Sequence, residues 1–196
     1  MRLVFASNNA HKLDEVRNIM PQGIEVISLR DIGSEQDIAE TGTTLEQNSA
    51  IKAQTVSQWL SDDGKWQTID GVIADDTGLE IDALNGAPGV YTARWAGEPA
   101  ANRAKALREL KGKTNRAAQF RTVITLIREN GEQLMVSGTV RGRIATEEYG
   151  NGGFGYDPVF IPDGYDKTFG ELPAAIKNQI SHRSRALQEL VKVIHG

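Results

Sequence analysis

Residue types that can bind ligands or move protons gather in five short segments of the sequence. The segments span residues 7–12, 40–44, 75–79, 150–158 and 177–185. Each lies where a predicted strand or a loop ends. Because α/β proteins bind ligands beyond strand ends and at helix N-termini, we expect the ligand-binding residues of this chain in these segments.

The first segment is a small polar turn between a predicted strand and a predicted helix. It consists of Ser7, Asn8, Asn9, Ala10, His11 and Lys12. Backbone N–H groups at such a turn and the helix dipole favour an anion, and Lys12 adds a point charge suited to phosphate. An ordinary capped turn is the alternative, since Ser and Asn are common in turns. The glycine and lysine spacing of a Walker phosphate loop is absent.

Two neighbouring carboxylates, Asp75 and Asp76, directly follow the apolar residues Val72, Ile73 and Ala74. We expect the strand to stop at this pair. Since neighbouring side chains of a strand point to opposite faces, one carboxylate is expected to be held by hydrogen bonds and the other to face a cleft. Carboxylate oxygens suit Mg²⁺, which binds one or two of them together with substrate phosphates. A turn with a capping Asp is the alternative.

The segment at 40–44 precedes a predicted helix, which Thr43 or Thr44 is expected to cap. Asn48 and Lys52 lie four residues apart on this helix and therefore share a face. Lys52 can address the same anion as the lysine of the first segment. The alternative is a solvated surface lysine, the usual state of this residue type.

Glycine takes four of six consecutive positions from 150 to 155. So many glycines cost chain entropy, and they are useful where the backbone must approach a flat ligand closely. Phe154 or Tyr156 can stack on such a ligand, and Asp157 can accept hydrogen bonds from it. A flexible glycine linker is the alternative.

In the last segment, Ser181 is expected to cap the final helix, which puts His182 and Arg183 in its first turn. Cations there oppose the helix dipole unless an anion is also present. The pair therefore hints at a bound phosphate or purine carbonyl.

Composition narrows the classes of protein and of metal site. The chain has 196 residues, with 22 Lys and Arg against 26 Asp and Glu, and a formal charge of −4. This balance argues against a protein that coats nucleic acid or binds a membrane surface, and no apolar run has the length of a membrane helix. The chain has no cysteine and only three dispersed histidines, which argues against thiolate and His-rich metal sites. Its first residues lack the apolar stretch of a signal peptide. We expect a soluble, cytoplasmic protein whose metal ligands are oxygen atoms.

Hydrophobic periodicity predicts strands that alternate with helices, plus one long hairpin. The predicted strands are 3–6, 24–27 and 71–74, and a further strand is predicted to start at 158–160. The hairpin joins 120–127 to 134–144, and helices follow residues 12, 44 and 181. This order indicates an α/β fold with a mixed sheet. Without repeats or linker-like stretches, residues 1–196 are predicted to form one domain.

Together the segments resemble the non-canonical purine nucleoside triphosphate pyrophosphatases, the inosine triphosphatase (Ham1/RdgB-like) family. The motifs that carry the resemblance are Leu3–Asn9, Ile73–Leu79, Gly86–Arg94, Gly152–Pro158 and Ile180–Arg183. They extend nearly from one end of the chain to the other, and in this order they are highly specific.

The resemblance implies hydrolysis of ITP, dITP and XTP to the monophosphate and pyrophosphate, with Mg²⁺, by a homodimer. It also implies an elongated fold with a long mixed sheet flanked by helices, in which two lobes of one domain surround a nucleotide cleft. Nucleic acid and membranes are not expected partners. Two other functions stay open, namely a house-cleaning pyrophosphatase of broader specificity and a nucleotide sensor that does not hydrolyse.

The resemblance further implies roles for particular residues. Asp76 is the catalytic carboxylate and a metal ligand, and Glu40 is a second metal ligand. Residues 7–12 bind the triphosphate, Lys52 adds a cationic contact, and Thr77 contacts the substrate. The base and sugar pocket consists of Phe154, Gly155, Tyr156, Asp157, Lys177, His182 and Arg183.

Two positions depart from the family pattern. Family members commonly read Phe-x-Glu-Asn-Ala before the second helix, where this chain reads Leu-Glu-Gln-Asn-Ser at 45–49. Neither Glu46 nor Gln47 is counted as a metal ligand. Ile176 stands where an acidic residue often precedes the lysine of the base pocket.

The implied reaction needs neutralised phosphates and an activated water. A triphosphate carries about four negative charges, so catalysis depends mostly on positioning and on cations such as Lys12, Lys52 and Mg²⁺. Asp76 is expected to deprotonate a water that attacks the α-phosphorus, with the β-phosphorus as the alternative, since either attack releases pyrophosphate. Hypoxanthine and xanthine carry a 6-oxo acceptor where adenine has a 6-amino donor. Donors from Arg183, His182 or backbone N–H groups would therefore select the deaminated bases.

Overall fold

Apolar runs that alternate between strand and helix periods build a mixed α/β fold, as the sequence predicts. The computed structural model describes residues 1–34 and 36–195. In this part of the chain the strands are β1 (Arg2–Phe5), β2 (Glu25–Ile27), β3 (Gly71–Ile81), β4 (Pro88–Gly89), β5 (Ala117–Ile127), β6 (Gln133–Ile144) and β7 (Phe160–Pro162). The helices are α1 (Ala10–Ile19), α2 (Leu45–Asp62), α3 (Pro99–Glu109), α4 (Ala174–Ile180) and α5 (His182–His195). None of these helices combines the length and the apolar character that a bilayer crossing requires.

The strands form one sheet in the order β2-β1-β3-β5-β6-β7, with β4 paired to β3. β1 runs parallel to both of its neighbours, and its Leu3 lies opposite Val26 on one side and Gly71 on the other. Parallel neighbours need a crossover connection, which α1 provides between β1 and β2. β7 runs antiparallel to β6, so the sheet is mixed.

The chain divides into two compact units, which are described separately below. Unit 1 comprises the described residues of Met1–Asp76, Thr122–Gly138 and Arg183–Gly196, and unit 2 comprises Thr77–Arg121 and Thr139–His182. The expectation of a single domain with two lobes around a cleft stays a prediction.

In unit 1, the alternation of side chains along β1 and β3 distributes the core over two faces of the sheet. Even-numbered residues of the two strands pack in one hydrophobic core with Ala53, Val56 and Leu60 of α2. Odd-numbered residues pack in another core with Val16 of α1 and Leu187 of α5. The next two residues of β3 inherit this alternation. Asp75 therefore points toward the side of α1 and α5, and Asp76 points toward the side of α2.

Unit 2 has its own core, which holds the glycine-rich segment in place. Phe120, Phe160 and Phe169 are all buried, with ring centroids 4.7 Å apart for the first two and 5.6 Å apart for the last two. Gly142 of β6 leaves no room for a side chain, because a Cβ there would lie 2.2 Å from the carbonyl oxygen of Ile161. The close approach of β6 and β7 thus requires glycine at this position.

Several predicted boundaries are confirmed. Helix α1 ends before Pro21, Thr44 caps α2 by accepting a hydrogen bond from the backbone N–H of Gln47 at 3.1 Å, and α5 begins directly after Ser181. The strands β5 and β6 are neighbours in the sheet, which confirms the hairpin.

Two predicted boundaries are wrong. β3 does not stop at the carboxylate pair but continues to Ile81, because buried cations neutralise both carboxylates and Leu79 and Ile81 return to the core. The strand expected from Pro158 starts at Phe160, since a 3₁₀ turn occupies Asp157–Val159. Two helices were not predicted, α3 and α4, the second of which carries Lys177.

The core between α2 and the sheet should contribute strongly to the stability of unit 1. Leu60→Ala removes a fully buried side chain and leaves a cavity, so we expect the free energy of unfolding to fall by about 2–5 kcal/mol. Val193→Ala on α5 is the control, because its side chain is exposed and the expected change is within about 0.5 kcal/mol. Urea unfolding followed by circular dichroism measures both values. Similar losses for the two variants would contradict this view of the core.

Candidate active site

Asp75 is the buried anchor of a network of charged side chains in unit 1. Its carboxylate is 0% exposed and accepts from Lys12 Nζ at 3.1 Å and from Arg183 Nη2 and Nε at 3.0 and 3.1 Å. Arg183 also donates to Glu15 through Nη1. Burial opposes ionisation, but the charges of Lys12 and Arg183 outweigh it and hold the pKa of Asp75 well below its usual range. Asp75 is therefore a fixed negative charge.

Asp76 has different partners on the opposite face of β3. Its Oδ1 lies 3.7 Å from Lys52 Nζ, which also donates to Glu40 Oε1 at 2.5 Å. Only 6% of Asp76 is exposed, and burial raises its pKa above the ordinary aspartate value even though Lys52 pulls the other way. Of the two neighbouring carboxylates, Asp76 is thus the one suited to accept a proton.

Lys52 keeps its charge although it is buried. Burial lowers the pKa of its ammonium, but the carboxylates of Asp75, Asp76 and Glu40 outweigh burial and raise it. This places a permanent cation on α2 beside the end of the parallel part of β3. The predicted face shared by Asn48 and Lys52 is confirmed, since both side chains lie on the buried side of the helix.

Three side chains at the start of α2 fix its position and that of the preceding loop. Asn48 Oδ1 accepts from the backbone N–H of Gly42 at 2.8 Å, and Gln47 Oε1 accepts from that of Thr43 at 2.7 Å. Ser49 Oγ donates to the carbonyl of Ala74 at 2.8 Å and lies 2.8 Å from the Thr125 hydroxyl oxygen. The loop that carries Glu40 and the strand that carries Asp76 are thereby both tied to α2.

The turn at residues 7–12 leads into α1, as expected. Asn9 caps the helix by accepting from the backbone N–H of Lys12 at 3.1 Å, and Ser7 Oγ accepts from that of Asn9 at 3.2 Å. Asn8 donates to Asp37 at 3.0 Å. No acidic residue stands in the first turn of α1, so the positive end of its dipole is not neutralised from within the helix. Beside this turn lies a cavity of about 500 Å³, lined by Ser7, Asn8, Asn9, Ala10, Leu13, Ser28, Leu29, Arg30 and Asp37.

Glu40 and Asp76 fit a magnesium ion that completes its coordination with substrate phosphates and water. Their oxygens converge on one point, because both lie within ion-pair distance of Lys52 Nζ. Residues 1–34 and 36–195 contain no group of three or more His, Cys, Asp or Glu arranged to hold a metal. Mg²⁺ commonly relies on one or two carboxylates and takes its other ligands from phosphates and water, and this donor set matches that habit.

In unit 2, a buried ion pair shapes the glycine-rich loop. Asp157 Oδ2 accepts from Lys177 Nζ at 2.6 Å and from the backbone N–H of Phe154 at 2.9 Å. Lys177 Nζ also lies 4.7 Å from the centroid of the half-buried Phe154 ring. Gly153 has a φ of +68°, and a Cβ there would lie 1.9 Å from Asp157 Oδ2, so the loop can close around this carboxylate only with glycine.

The other aromatic candidates of unit 2 are buried. His182 stacks on Phe120 with ring centroids 4.7 Å apart, and Tyr156 donates its hydroxyl to the carbonyl of Thr92 at 2.9 Å. Burial raises the pKa of Tyr156. Of the two rings that could stack on a flat ligand, Phe154 is the more accessible one.

The predicted residues fall into two groups. Unit 1 contains Ser7, Asn8, Asn9, Ala10, His11, Lys12, Glu40, Lys52, Asp76 and Arg183, and unit 2 contains Thr77, Phe154, Gly155, Tyr156, Asp157, Lys177 and His182. Arg183 was expected in the base pocket, but in this structure its guanidinium is 1% exposed and binds Asp75 and Glu15. Two protein carboxylates thus neutralise the charge of Arg183 in the first turn of α5. The roles of all these residues toward a substrate stay predictions.

Sequence reasoning missed two residues of these groups. Glu15 follows Lys12 by three positions on α1, and this helical spacing could have indicated that the two side chains share a face. Phe120 carries no comparable signal, because strand alternation predicts only that it is buried and not that it stacks on His182.

Comparison with known proteins places this geometry in a family. The model of the Ham1 family matches residues 3–193. A dITP/XTP pyrophosphatase from Flavobacterium johnsoniae is 47% identical over 197 residues, which cover 99% of this chain and 98% of that relative. A dITP/XTP pyrophosphatase from Porphyromonas gingivalis is 46% identical over 195 residues, which cover 96% and 95%.

Solved structures agree with these relatives. The Ham1 protein of Staphylococcus aureus matches with a TM-score of 0.85 and 40% identity, covering 100% of this chain and 99% of that chain. A nucleoside-triphosphatase or dITP/XTP pyrophosphatase from Mycobacterium abscessus matches with a TM-score of 0.73 and 38% identity, covering 97% and 99%. The resemblance inferred from the motifs is confirmed, and the chain belongs to the Ham1 family.

Proposed function

We propose that this protein hydrolyses deaminated purine nucleoside triphosphates, namely ITP, dITP and XTP, to the monophosphate and pyrophosphate. The main observation behind the proposal is that the two neighbouring carboxylates have different charged partners and opposite pKa shifts. Asp75 is a locked charge held by Lys12 and Arg183, whereas Asp76 faces Lys52 and Glu40 and has a raised pKa. The names of the relatives, dITP/XTP pyrophosphatase, support the same substrate class.

The proposal assigns the phosphates to unit 1. The turn at 7–12 offers backbone donors and the dipole of α1, and Lys12 and Lys52 supply positive charge. Glu40 and Asp76 would hold Mg²⁺, which when bound supplies further positive charge against the phosphate oxygens. With the phosphates neutralised, an attacking water meets a much smaller electrostatic barrier.

Asp76 is assigned the role of general base. Its carboxylate orients a water and takes its proton as the water attacks the α-phosphorus, and pyrophosphate leaves. A buried carboxylate with a raised pKa is a stronger base than an ordinary one, which suits this step. Asp75 does not share the role, because its charge is committed to Lys12 and Arg183.

The proposal assigns the purine to unit 2. Phe154 stacks on the base, and the ion pair between Asp157 and Lys177 fixes the loop that carries this ring. His182, Lys177 and backbone N–H groups supply the donors that favour a 6-oxo group over a 6-amino group. Arg183 contributes by holding Asp75 and Glu15.

The same proposal includes dependence on magnesium, a homodimeric state and a cytoplasmic location. The donor set of Glu40 and Asp76 supports the first of these. The proposed substrate, a free nucleoside triphosphate, is compatible with the cytoplasmic location. Light scattering of the purified chain measures its oligomeric state.

A panel of nucleotides tests the function directly. Purified protein with Mg²⁺ should release pyrophosphate from ITP, dITP and XTP much faster than from ATP, because the base donors favour a 6-oxo group over the 6-amino group of adenine. GTP also carries a 6-oxo group, so slow release from GTP requires a further contact near its 2-amino group. Pyrophosphate release is followed by a coupled assay. Comparable rates on modified pyrimidine or ordinary triphosphates would indicate a house-cleaning enzyme of broader specificity. Binding without release would indicate a sensor.

Asp76→Asn tests the general base. We expect kcat for ITP to fall by about 10²- to 10⁴-fold, because the amide keeps the shape of the side chain but cannot take a proton. Nucleotide affinity, measured by calorimetry with a non-hydrolysable analogue, should stay within a few-fold of the parent value. Asp62→Asn at the exposed end of α2 is the control and should leave kcat unchanged. Normal turnover of Asp76→Asn would reject the assigned role.

Phe154→Ala tests the stacking surface. Loss of the ring should raise KM for ITP by about tenfold or more with a smaller change in kcat, since base stacking acts on binding. Tyr165→Ala in the same unit is the control for the loss of an aromatic ring outside the proposed pocket. Steady-state kinetics of the two variants decide the matter, and an unchanged KM for Phe154→Ala would move the base elsewhere.

A further inference from the structure

The ammonium group of Lys52 lies at the point on which the two proposed metal ligands converge. Its Nζ is 2.5 Å from Glu40 Oε1 and 3.7 Å from Asp76 Oδ1. The lysine is only 6% exposed, so the ammonium has left most of its water for these carboxylates. A lysine that only had to contact a phosphate would not need to be buried between two carboxylates.

A divalent cation and the Lys52 ammonium compete for the same two carboxylates. Glu40 and Asp76 together carry two negative charges, and Lys52 already neutralises one of them. A divalent ion added beside the ammonium would bring like charges close together in a largely buried site, where water screens their repulsion poorly. The ion can therefore bind tightly only if the ammonium moves away or a new anion arrives.

We propose that Lys52 is a tethered cation that holds the metal position in the nucleotide-free protein and yields it when a polyphosphate binds. The inference rests on the proposed function, because the polyphosphate is what compensates the ammonium after it leaves Glu40. Lysine suits this exchange, since its flexible stem lets one charge serve two positions. The protein then takes up its metal together with the nucleotide and has little affinity for the metal alone.

Calorimetric titration of nucleotide-free protein with Mn²⁺, as a probe for Mg²⁺, tests the inference. The parent chain should bind Mn²⁺ weakly. Lys52→Met keeps most of the length of the side chain without its charge and should bind one Mn²⁺ roughly tenfold or more tightly, because the competing cation is gone. Adding Glu40→Gln to Lys52→Met should abolish that gain, which identifies the carboxylates that bind the ion.

Lys192→Met is the matched control. Lys192 also forms an ion pair with a glutamate, Glu189, in unit 1, but both side chains are exposed. Its removal should leave Mn²⁺ affinity unchanged. If Lys52→Met does not fold, as judged by circular dichroism, Lys52→Gln takes its place, because its amide can still donate to Glu40.

Two results would overturn the inference. One is Mn²⁺ affinity in the Lys52 variant equal to that of the parent chain, and the other is a gain in affinity that survives Glu40→Gln. Neither measurement uses nucleotide or turnover. Inactivity of the parent chain on ITP would therefore count against the proposed function alone, whereas the Mn²⁺ titrations count for or against the exchange of cations.

Discussion

The charged side chains of unit 1 are placed around one constraint. Two adjacent carboxylates, Asp75 and Asp76, are buried within strand β3. A buried charge is costly unless a partner of opposite charge and hydrogen bonds compensate it. Because neighbouring residues of β3 face opposite sides, the two carboxylates form their ion pairs with cations on different helices. Asp75 forms ion pairs with Lys12 of α1 and Arg183 of α5, and Asp76 forms one with Lys52 of α2.

This constraint also separates the two carboxylates chemically. Partners on one face stabilise the ionised form of Asp75, while burial on the other face raises the pKa of Asp76. Two identical neighbouring residues thus have pKa values shifted in opposite directions, downward for Asp75 and upward for Asp76. The environment sets the difference, and nothing in the side chains themselves does.

Much of the fold and of the site could be read from the sequence, because helix ends and alternation are local signals. Thr44 as a cap and the different surroundings of Asp75 and Asp76 are examples. The end of β3 could not be read in this way. Two charged residues predict the end of a strand from local propensity. Distant residues make their burial possible, namely Lys12 and Arg183 for Asp75 and Lys52 for Asp76.

The same limit applies to Arg183. Its place in the first turn of α5 gives no local sign of its partners Glu15 and Asp75, which lie 168 and 108 positions away. The contact of Gln47, in contrast, is with a residue only four positions away, Thr43. Gln47 replaces an acid that is common in the family, and its amide oxygen accepts a hydrogen bond from the loop before α2. Such a bond requires only an acceptor, which both side chains provide.

The contact between Ser49 and Thr125 links the effects of substitutions at these two positions. The two hydroxyls meet inside unit 1, and Ser49 also donates to the carbonyl just before the carboxylate pair. Replacing Ser49 by alanine would remove a hydrogen-bonding partner of the Thr125 hydroxyl in a buried place. Changes at positions 49 and 125 are therefore expected to be non-additive in their effect on the free energy of unfolding, as for other residues in direct contact.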